Sequence, residues 1–394
     1  MSGIIKIFCM PYLLSCIHLL PDGSDLTFST KSSGHISILK YRPSRSIPSR
    51  HFIASKLSLL IHQSAVAFFA RPKANLSGCN CFLYKPAAQL SRKYVAIMKS
   101  DGGRHMQVLR DVLEKAQRDG VGVGHFNIGD FVILKAVFAS AQDLKVPVLV
   151  GVSEGERKFL GTRQIAALVK SLRDEFDFPI FLNADHTHSL ASAIEAAKAG
   201  FDSIVFDLSA LPFEQNIRQT KEAIEALKGI NPAILIEGEI GDIGTGSEIH
   251  DAAPDLSKGL TSPEEAKQYV DATGVDILAP AVGNMHGMLA SMVQGTTKKH
   301  LDIARIAQIK SATGVFMTLH GGSGTEDEDF RKAIAAGINV VHINTELRVA
   351  WRRGLERGLA NHPNEVVPYK ILPDAFEAIK QVATSRLKLF NSTK

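Results

Sequence analysis

The chain contains only four cysteines, and all of them lie within its first hundred residues: Cys9, Cys16, Cys79 and Cys81. The rest of the sequence can therefore hold neither a cysteine-ligated metal nor a disulfide framework. Cys79 and Cys81 are separated by one residue, not by the two-residue gap of a common zinc knuckle. Any metal bound outside this segment must use histidine or oxygen ligands.

Acidic residues are nearly missing from the same segment. Residues 1–100 contain 13 Lys or Arg against Asp22 and Asp25, a net charge of +11, whereas the remainder carries 32 basic and 38 acidic residues, a net charge of −6. The pI of about 8.9 thus reflects the extension. The basic balance of the whole chain gives no reason to expect a nucleic-acid partner.

Long apolar runs are missing too. The segments YLLSCIHLL and LSLLIHQSAVAFFA fall short of the roughly 18 residues that span a bilayer, so we expect no membrane association. A Ser-rich, acid-poor composition is typical of a transit peptide, and the first segment resembles a signal-peptide core, but neither an Arg-rich amphipathic helix nor a cleavage site accompanies them. Translation starting at Met98 or Met106 is the third interpretation. We expect a disordered extension over residues 1–100 and a cytoplasmic protein, unless this extension directs it to an organelle.

Beyond the extension, short apolar runs alternate with longer helical patterns. Eight such runs occur, namely VGVGHFNI, VPVLVGVS, PIFLNADH, DSIVFDLS, AILIEGEI, VDILAPAVG, VFMTLHGG and INVVHINTE. Their almost continuous apolar character is typical of parallel strands that are buried on both faces. Eight parallel βα units in roughly 250 residues predict a (β/α)8 TIM barrel over residues 106–394, with the active site at the carboxyl ends of the strands.

Three histidines stand at the ends of such runs. His186, His286 and His320 follow the third, sixth and seventh predicted strands, where a barrel would bring them together. Three neutral imidazoles with an open fourth position form a common catalytic zinc site. Further polar residues at or near strand ends are Asn127, Ser153, Asp185, Asp207, Glu239 and Asn344.

The segments GHFNIGD, VGVSEGE, NADHTHS, EGEIGDIG, GNMHG, LHGGSG and INTELR resemble, in the same order, the class II metal-dependent ketose-bisphosphate aldolases. The resemblance implies zinc-dependent, reversible cleavage of a ketose 1,6-bisphosphate into dihydroxyacetone phosphate and glyceraldehyde 3-phosphate. His186, His286 and His320 match the ligands of one zinc, and Glu239 matches a carboxylate that binds the metal in an alternate position. The resemblance leaves open whether a second metal ion or a monovalent cation also binds. It implies a homodimer or a larger even oligomer.

The same resemblance implies roles for other residues. Asp185 matches the catalytic aspartate, which takes a proton from the C4 hydroxyl during cleavage. A base for the C3 proton comes from a mobile loop after the fifth strand, where Glu248 is the best candidate, although the loop departs by about one residue from the family's Gly-Gly-x-Glu. The expected substrate and phosphate contacts are Asn127, Ser153, Gly287, Gly321, Gly322, Ser323, Asn344 and Thr345.

Several departures leave alternatives open. His342 and Asn344 stand where the family usually has Asn and Asp, and MLASMVQGTTKKHLD lacks the aromatic-Lys pair of fructose-type members. We favour fructose 1,6-bisphosphate as the substrate, with tagatose 1,6-bisphosphate as the alternative because the HGM-x-A-S run is similar to tagatose-type relatives. His188 would form an H-x-H pair with His186, which is typical of barrel metallohydrolases. A non-catalytic phosphate-binding barrel is a further alternative.

Overall fold

The computed structural model describes residues 108–244, 246–251 and 259–392, together with four short strands near the N-terminus. These strands are β1 (Ile7–Phe8), β2 (Ile17–Leu19), β3 (Asp25–Thr30) and β4 (His35–Arg42), which form an antiparallel sheet in the order β1-β4-β3-β2. No strand is predicted there from the sequence. The rest of residues 1–107 lies outside the described residues, so the predicted disorder of that part stays a prediction.

The chain divides into two units, Met1–Lys93 and Tyr94–Lys394. The predicted domain limits, 1–100 and 106–394, fall among residues that are not described, and they also stay predictions.

Eight parallel strands close into a barrel, and each coincides with a predicted run, except that β7 continues one residue beyond its run, to Thr187. They are β5 (Val123–Asn127), β6 (Val148–Val152), β7 (Ile180–Thr187), β8 (Ser203–Phe206), β9 (Leu235–Ile240), β11 (Ile277–Pro280), β13 (Phe316–Leu319) and β14 (Val340–Ile343). Neighbours in the barrel follow one another along the chain, and β14 pairs with β5 to close it. The predicted (β/α)8 barrel is confirmed. Two shorter strands, β10 (Ile249–His250) and β12 (Met288–Leu289), pair with each other outside it.

Helices surround the barrel. The described helices are α1 (Leu109–Asp119), α2 (Phe131–Leu144), α3 (Glu154–Leu160), α4 (Thr162–Phe176), α5 (Leu190–Ala199), α6 (Phe213–Ile230), α7 (Pro263–Thr273), α8 (Ala290–Val293), α9 (Ile303–Thr313), α10 (Asp327–Ala336), α11 (Thr345–Asn361), α12 (Pro368–Ile371) and α13 (Pro373–Phe390). Several of these helices are capped at their first turn by a side chain. At the start of α5, for example, Ser189 accepts a hydrogen bond from the backbone N–H of Ser192. None of the described helices is both long enough and apolar enough to cross a membrane.

One end of the barrel is closed by α1. Its apolar residues Leu109, Val112, Leu113 and Ala116 are buried with residues at the amino ends of the strands, including Val123. A larger apolar cluster fills the layer between the strands and the surrounding helices. Because the amino ends are sealed by packing, polar side chains at the opposite, carboxyl ends are the ones that can face a ligand.

Candidate metal centre and substrate pocket

The end of β7 is irregular, and this places two neighbouring side chains in the same site. The pairing of β7 with β8 shifts register between Ala184 and Thr187, and His186 has a left-handed backbone with φ 38°. A bulge of this kind redirects side chains that would otherwise point to opposite faces. Asp185 and His186 therefore both reach the carboxyl end of the barrel.

Three imidazoles converge at that end. Nε2 of His186 lies 3.1 Å from Nε2 of His286 and 3.2 Å from Nδ1 of His320. Two imidazole nitrogens on one tetrahedral zinc, with Zn–N bonds of about 2.0–2.1 Å, are separated by about 3.3 Å. The three residues thus form a group that could hold a metal ion, and the sequence-based expectation that the barrel brings them together holds.

The second nitrogen of each ring is already bound to an oxygen acceptor. His186 Nδ1 lies 2.8 Å from Asp207 Oδ2, and His286 Nδ1 lies 2.8 Å from the carbonyl oxygen of Gly244. His320 Nε2 lies 2.7 Å from Glu237 Oε1. A ring that donates from one nitrogen presents the lone pair of the other, and such outer contacts fix metal-binding histidines. Asp207 also accepts local hydrogen bonds from the backbone N–H and the hydroxyl of Ser209.

Buried carboxylates make the site strongly negative. Glu239 Oε2 is buried without a hydrogen-bond partner and lies 3.8 Å from both His186 Nδ1 and His320 Nδ1. Burial and the neighbouring Asp207 raise the pKa of Glu239 to about 7. For His186, burial lowers the pKa but Asp185 and Asp207 outweigh it and raise the value to about 10. A carboxylate-rich pocket that favours positive charge on His186 will also favour a metal cation.

Asp185 is held with one oxygen free. Its Oδ2 accepts a hydrogen bond of 2.8 Å from Asn127 Nδ2, whereas its buried Oδ1 has no partner and lies 3.8 Å from His186 Nε2. Burial alone would raise the pKa of Asp185, but the adjacent histidines and the Asn127 hydrogen bond lower it overall. The residue is therefore an ionised carboxylate with an unengaged oxygen beside the proposed metal position.

Two further buried histidines lie close to Asp185. His125 and His342 occupy paired positions on β5 and β14, and their rings stack with centroids 3.4 Å apart and planes inclined by 5°. Burial is the largest cause that lowers the pKa of each, and mutual repulsion adds to the shift of His342. The unusual His342 is therefore accommodated as a neutral stacked ring, with its Nδ1 3.5 Å from Asp185 Oδ1.

A pocket next to the histidines gathers most of the expected substrate contacts. It is lined by Asn127, Asp185, His186, Ser247, His286, Gly287, Gly321, Ser323, His342, Asn344 and Thr345. Helix α11 begins here at Thr345, so the positive end of its dipole faces the pocket, which favours an anion. Two expected contacts lie outside this set. The hydroxyl of Ser153 caps α3 by accepting from Glu156 N, and Gly322 N donates to the carbonyl of His342.

The loop after β9 reaches the pocket through Ser247, which the sequence analysis did not single out. Asn344 Nδ2 donates to Ser247 Oγ over 3.0 Å, and Arg348 Nη1 donates to Ser247 O over 3.3 Å. The adjacent Glu248 is exposed and its carbonyl accepts from Met288 N. Glu248 is thus next to the pocket rather than among its lining residues, and its catalytic role stays a prediction.

His188 does not join the three converging histidines. Its ring is largely exposed, and Nδ1 lies 3.0 Å from the carbonyl oxygen of Asp207. The ring centroid is 6.5 Å from that of His186. Nothing in this geometry favours the H-x-H arrangement of a metallohydrolase.

Comparison with known proteins shows relatives that match the barrel region of the chain. Residues 107–394 match the family model described as fructose-bisphosphate aldolase class-II. The chain is 33% identical over 303 residues to a fructose-bisphosphate aldolase of Thermus caldophilus, covering 72% of this chain and 97% of that protein. It is 32% identical over 288 residues to a probable fructose-bisphosphate aldolase of Bacillus subtilis, covering 72% and 97%.

Two solved structures with a similar fold are named as aldolases. The YdjI aldolase of Escherichia coli K12 superposes with a TM-score of 0.59 at 26% identity, covering 72% of this chain and 96% of that one. A putative fructose-1,6-biphosphate aldolase of Coccidioides immitis superposes with a TM-score of 0.60 at 25% identity and the same coverage.

Proposed function

Because the chain belongs to the class II fructose-bisphosphate aldolase family, we propose that it reversibly cleaves fructose 1,6-bisphosphate into dihydroxyacetone phosphate and glyceraldehyde 3-phosphate. The observation that carries this proposal is the convergence of three imidazole nitrogens beside an ionised aspartate and a glycine-rich pocket. The enzyme is a carbon–carbon lyase. We propose a homodimer or a larger even assembly in the cytoplasm, by analogy with the family alone.

His186, His286 and His320 would hold one zinc ion. The donor set fits because each ring has one nitrogen directed at the common point and the other bound to an oxygen. The unpartnered Oε2 of Glu239 is the oxygen best placed to bind the metal in an alternate position. When bound, the zinc supplies the positive charge that stabilises the dihydroxyacetone half as the C3–C4 bond breaks.

Asp185 would act as the base in cleavage. Its free Oδ1 takes the proton of the C4 hydroxyl, and the C4 oxygen then becomes the aldehyde oxygen as the C3–C4 electron pair moves into the dihydroxyacetone fragment. Asn127 holds the other carboxylate oxygen, which fixes the orientation of Oδ1. The lowered pKa of Asp185 keeps it ionised before the reaction begins.

Glu248 would return a proton to C3 of that fragment, and would remove it in the condensation direction. Its exposed side chain lies on a loop whose preceding residue, Ser247, already contacts Asn344 in the pocket. Closure of the loop would bring the carboxylate over the substrate, as lid loops do in other enzymes. The substrate phosphates would bind to Gly287, Gly321, Ser323 and Thr345, with the start of α11 contributing its dipole.

The test is the ratio of kcat/KM for fructose 1,6-bisphosphate and its C4 epimer, tagatose 1,6-bisphosphate, with metal content measured on the same sample. We expect one zinc per chain and faster cleavage of the fructose compound. A tenfold preference for the tagatose compound, which corresponds to about 1.4 kcal/mol, would reassign the substrate, as the HGM-x-A-S run suggests. Asp185→Asn is the inactive control.

Phosphate binding and turnover after chelation, measured on the same sample, separate the other two alternatives. Zinc binding with no cleavage of either epimer would favour a metallohydrolase or a different substrate class. Phosphate binding with neither zinc nor cleavage would favour a non-catalytic barrel. Full turnover after exhaustive chelation would contradict the metal-dependent mechanism.

A further inference from the structure

Lys299 is a buried lysine that the proposed mechanism does not use. Its side chain is almost completely buried, with 2% of its surface exposed. Nζ donates hydrogen bonds to the backbone carbonyls of Met285, Gly287 and Gly321 over 2.8, 3.1 and 2.7 Å. Among the described residues, no carboxylate lies within salt-bridge distance of it. The hydrogen-bond acceptors of the nitrogen are therefore three backbone carbonyls.

The number of acceptors indicates the protonation state. An ammonium group has three N–H donors, whereas a neutral amine has two and would turn its lone pair toward a carbonyl oxygen. Burial lowers the pKa of Lys299 to about 7, and the Glu346 carboxylate opposes that shift. The three carbonyls oppose it as well, because only the protonated form satisfies all of them. With its donors all engaged and no access to solvent, Lys299 is not placed to form a Schiff base with a substrate.

The three carbonyls belong to segments that matter for the site. Met285 and Gly287 flank His286, and Gly321 directly follows His320. One ammonium thus joins the peptide groups that adjoin two of the three converging histidines. Gly321 also begins the glycine-rich loop of the pocket, so the same cation adjoins the expected phosphate site.

These segments approach one another closely. Gly321 has a φ of 60°, and a Cβ atom at this position would lie 2.2 Å from the carbonyl oxygen of Met285. The backbone of Lys299 is fixed on the other side of the loop, because its N–H donates to Gly324 O and its carbonyl accepts from Glu326 N. Three carbonyl oxygens that meet at one point repel one another unless a cation lies between them.

Carbonyl oxygens arranged around a point are also how proteins bind a free monovalent cation such as potassium. An ammonium ion is close to potassium in size and carries the same charge. The neighbouring Lys298 is exposed, so only one of the two consecutive lysines occupies this arrangement.

We propose that Lys299 is a positioning residue that serves as a tethered monovalent cation, holding the loops of His286 and His320 in register for the metal. The expected effect of this residue on catalysis rests on the proposed function. The contact of the Lys299 ammonium with the three carbonyl oxygens does not depend on which substrate the enzyme cleaves. The protein then needs no free potassium, sodium or ammonium ion, whereas removal of the lysine side chain creates a site that such an ion fills.

The test compares Lys299→Ala, which opens the carbonyl cage, with Lys299→Met, which fills it without charge, and with Lys298→Ala as the matched control. Thermal unfolding of the metal-free full chain is measured in ammonium, potassium and tetramethylammonium chloride at equal ionic strength. We expect ammonium or potassium to raise the Tm of Lys299→Ala by about 2 °C or more above its value in tetramethylammonium, because an ion that binds only the folded state stabilises it. The wild type, Lys299→Met and Lys298→Ala should show no such difference.

Zinc affinity, measured by competition with a chelator, is the second readout. Loss of a residue that fixes metal ligands typically weakens metal binding by about 10–100-fold. We expect that loss in both Lys299 variants and its recovery by ammonium or potassium only in Lys299→Ala. Failure of the chain to cleave either sugar bisphosphate would refute the proposed function without changing the expected unfolding results.

Three outcomes would overturn the inference. The first is a wild-type protein whose Tm depends on potassium or ammonium in the way expected of Lys299→Ala. The second is a Lys299→Ala protein that shows no difference between these salts. The third, which applies even if Lys299→Ala does not fold, is full zinc affinity in Lys299→Met.

Discussion

Oε1 of Glu237 lies 2.7 Å from Nε2 of His320, and both side chains are buried inside the barrel. The carboxylate accepts the ring proton, so Nδ1 of His320 presents its lone pair to the other two histidines. Burial lowers the pKa of His320, but Glu237 outweighs burial and raises it overall. Glu237 therefore controls both the orientation and the basicity of a proposed metal ligand.

We predict that Glu237→Gln weakens zinc binding by about 10–100-fold, because the amide keeps the approximate shape but loses the charge. The measurement is the zinc dissociation constant from chelator competition. Thr318→Val is the matched control, since it removes the hydrogen bond that Thr318 Oγ1 donates to the other oxygen of Glu237 and leaves the Glu237 carboxylate itself in place. Equal zinc affinity in Glu237→Gln and wild type would show that the pair is not an outer contact of the metal.

How much of this site was predictable depends on where each residue lies. His286 and His320 were found because they follow apolar strands, and strand ends converge in a barrel. Glu237 and Glu239 are two residues apart on β9 and face the same side, yet only Glu239 was carried over from the family pattern. The group that holds His286 is the backbone carbonyl of Gly244. Because every residue has such a carbonyl, the sequence could not indicate its role.

Lys299 and the stacked histidines were missed for different reasons. The sequence does not distinguish Lys299 from the adjacent Lys298, because burial of one depends on loop conformation and not on a repeating pattern. His125 and His342 are far apart in the sequence and become partners only when β14 pairs with β5. That pairing follows from barrel closure, so their contact could have been inferred once the eighth strand was assigned.

Arg157 holds the irregular turn that carries Asp185 and His186. Its Nη1 donates to the carbonyl oxygens of Val152 and Asp185, and its Nη2 donates to Thr187 Oγ1. The guanidinium is buried, and this burial lowers its pKa despite several nearby acids.

We predict that Arg157→Met lowers the free energy of unfolding by about 1–3 kcal/mol, since buried acceptors lose their donors. Urea denaturation measures the change, and the exposed Arg163→Met should alter it by less than about 0.5 kcal/mol. The left-handed backbone of His186 would also lose support, so we expect weaker zinc binding in Arg157→Met. A variant with wild-type stability and zinc affinity would contradict this account.

The basic extension is predicted to be unnecessary for the barrel. A chain that begins at Met106 keeps α1, whose Leu109, Val112 and Leu113 are buried against the amino ends of the strands. We expect it to have the same kcat as the full chain. A chain that begins at Val121 lacks α1 and should be severely destabilised, because each buried Leu or Val contributes about 1.5–3 kcal/mol.

Thermal unfolding and turnover of the two shortened chains decide this point. If the chain from Met106 is inactive while the full chain is active, residues 1–105 have a structural or catalytic role that the barrel alone does not supply. If the chain from Val121 is as stable as the one from Met106, α1 does not seal the barrel as its burial indicates.

Asp185 and Glu248 are predicted to act on different protons, and exchange of the C3 proton of dihydroxyacetone phosphate with solvent separates them. Deprotonation at C3 needs no aldehyde, so Asp185→Ala should retain part of this exchange while losing cleavage. Glu248→Gln should lose both by at least about 100-fold, the usual lower range for general acid–base catalysis. Both variants should keep zinc, because neither residue is among the three proposed histidine ligands. Unimpaired exchange in Glu248→Gln would transfer the role to another carboxylate, and Glu239, whose buried Oε2 has no partner, would be the next to test.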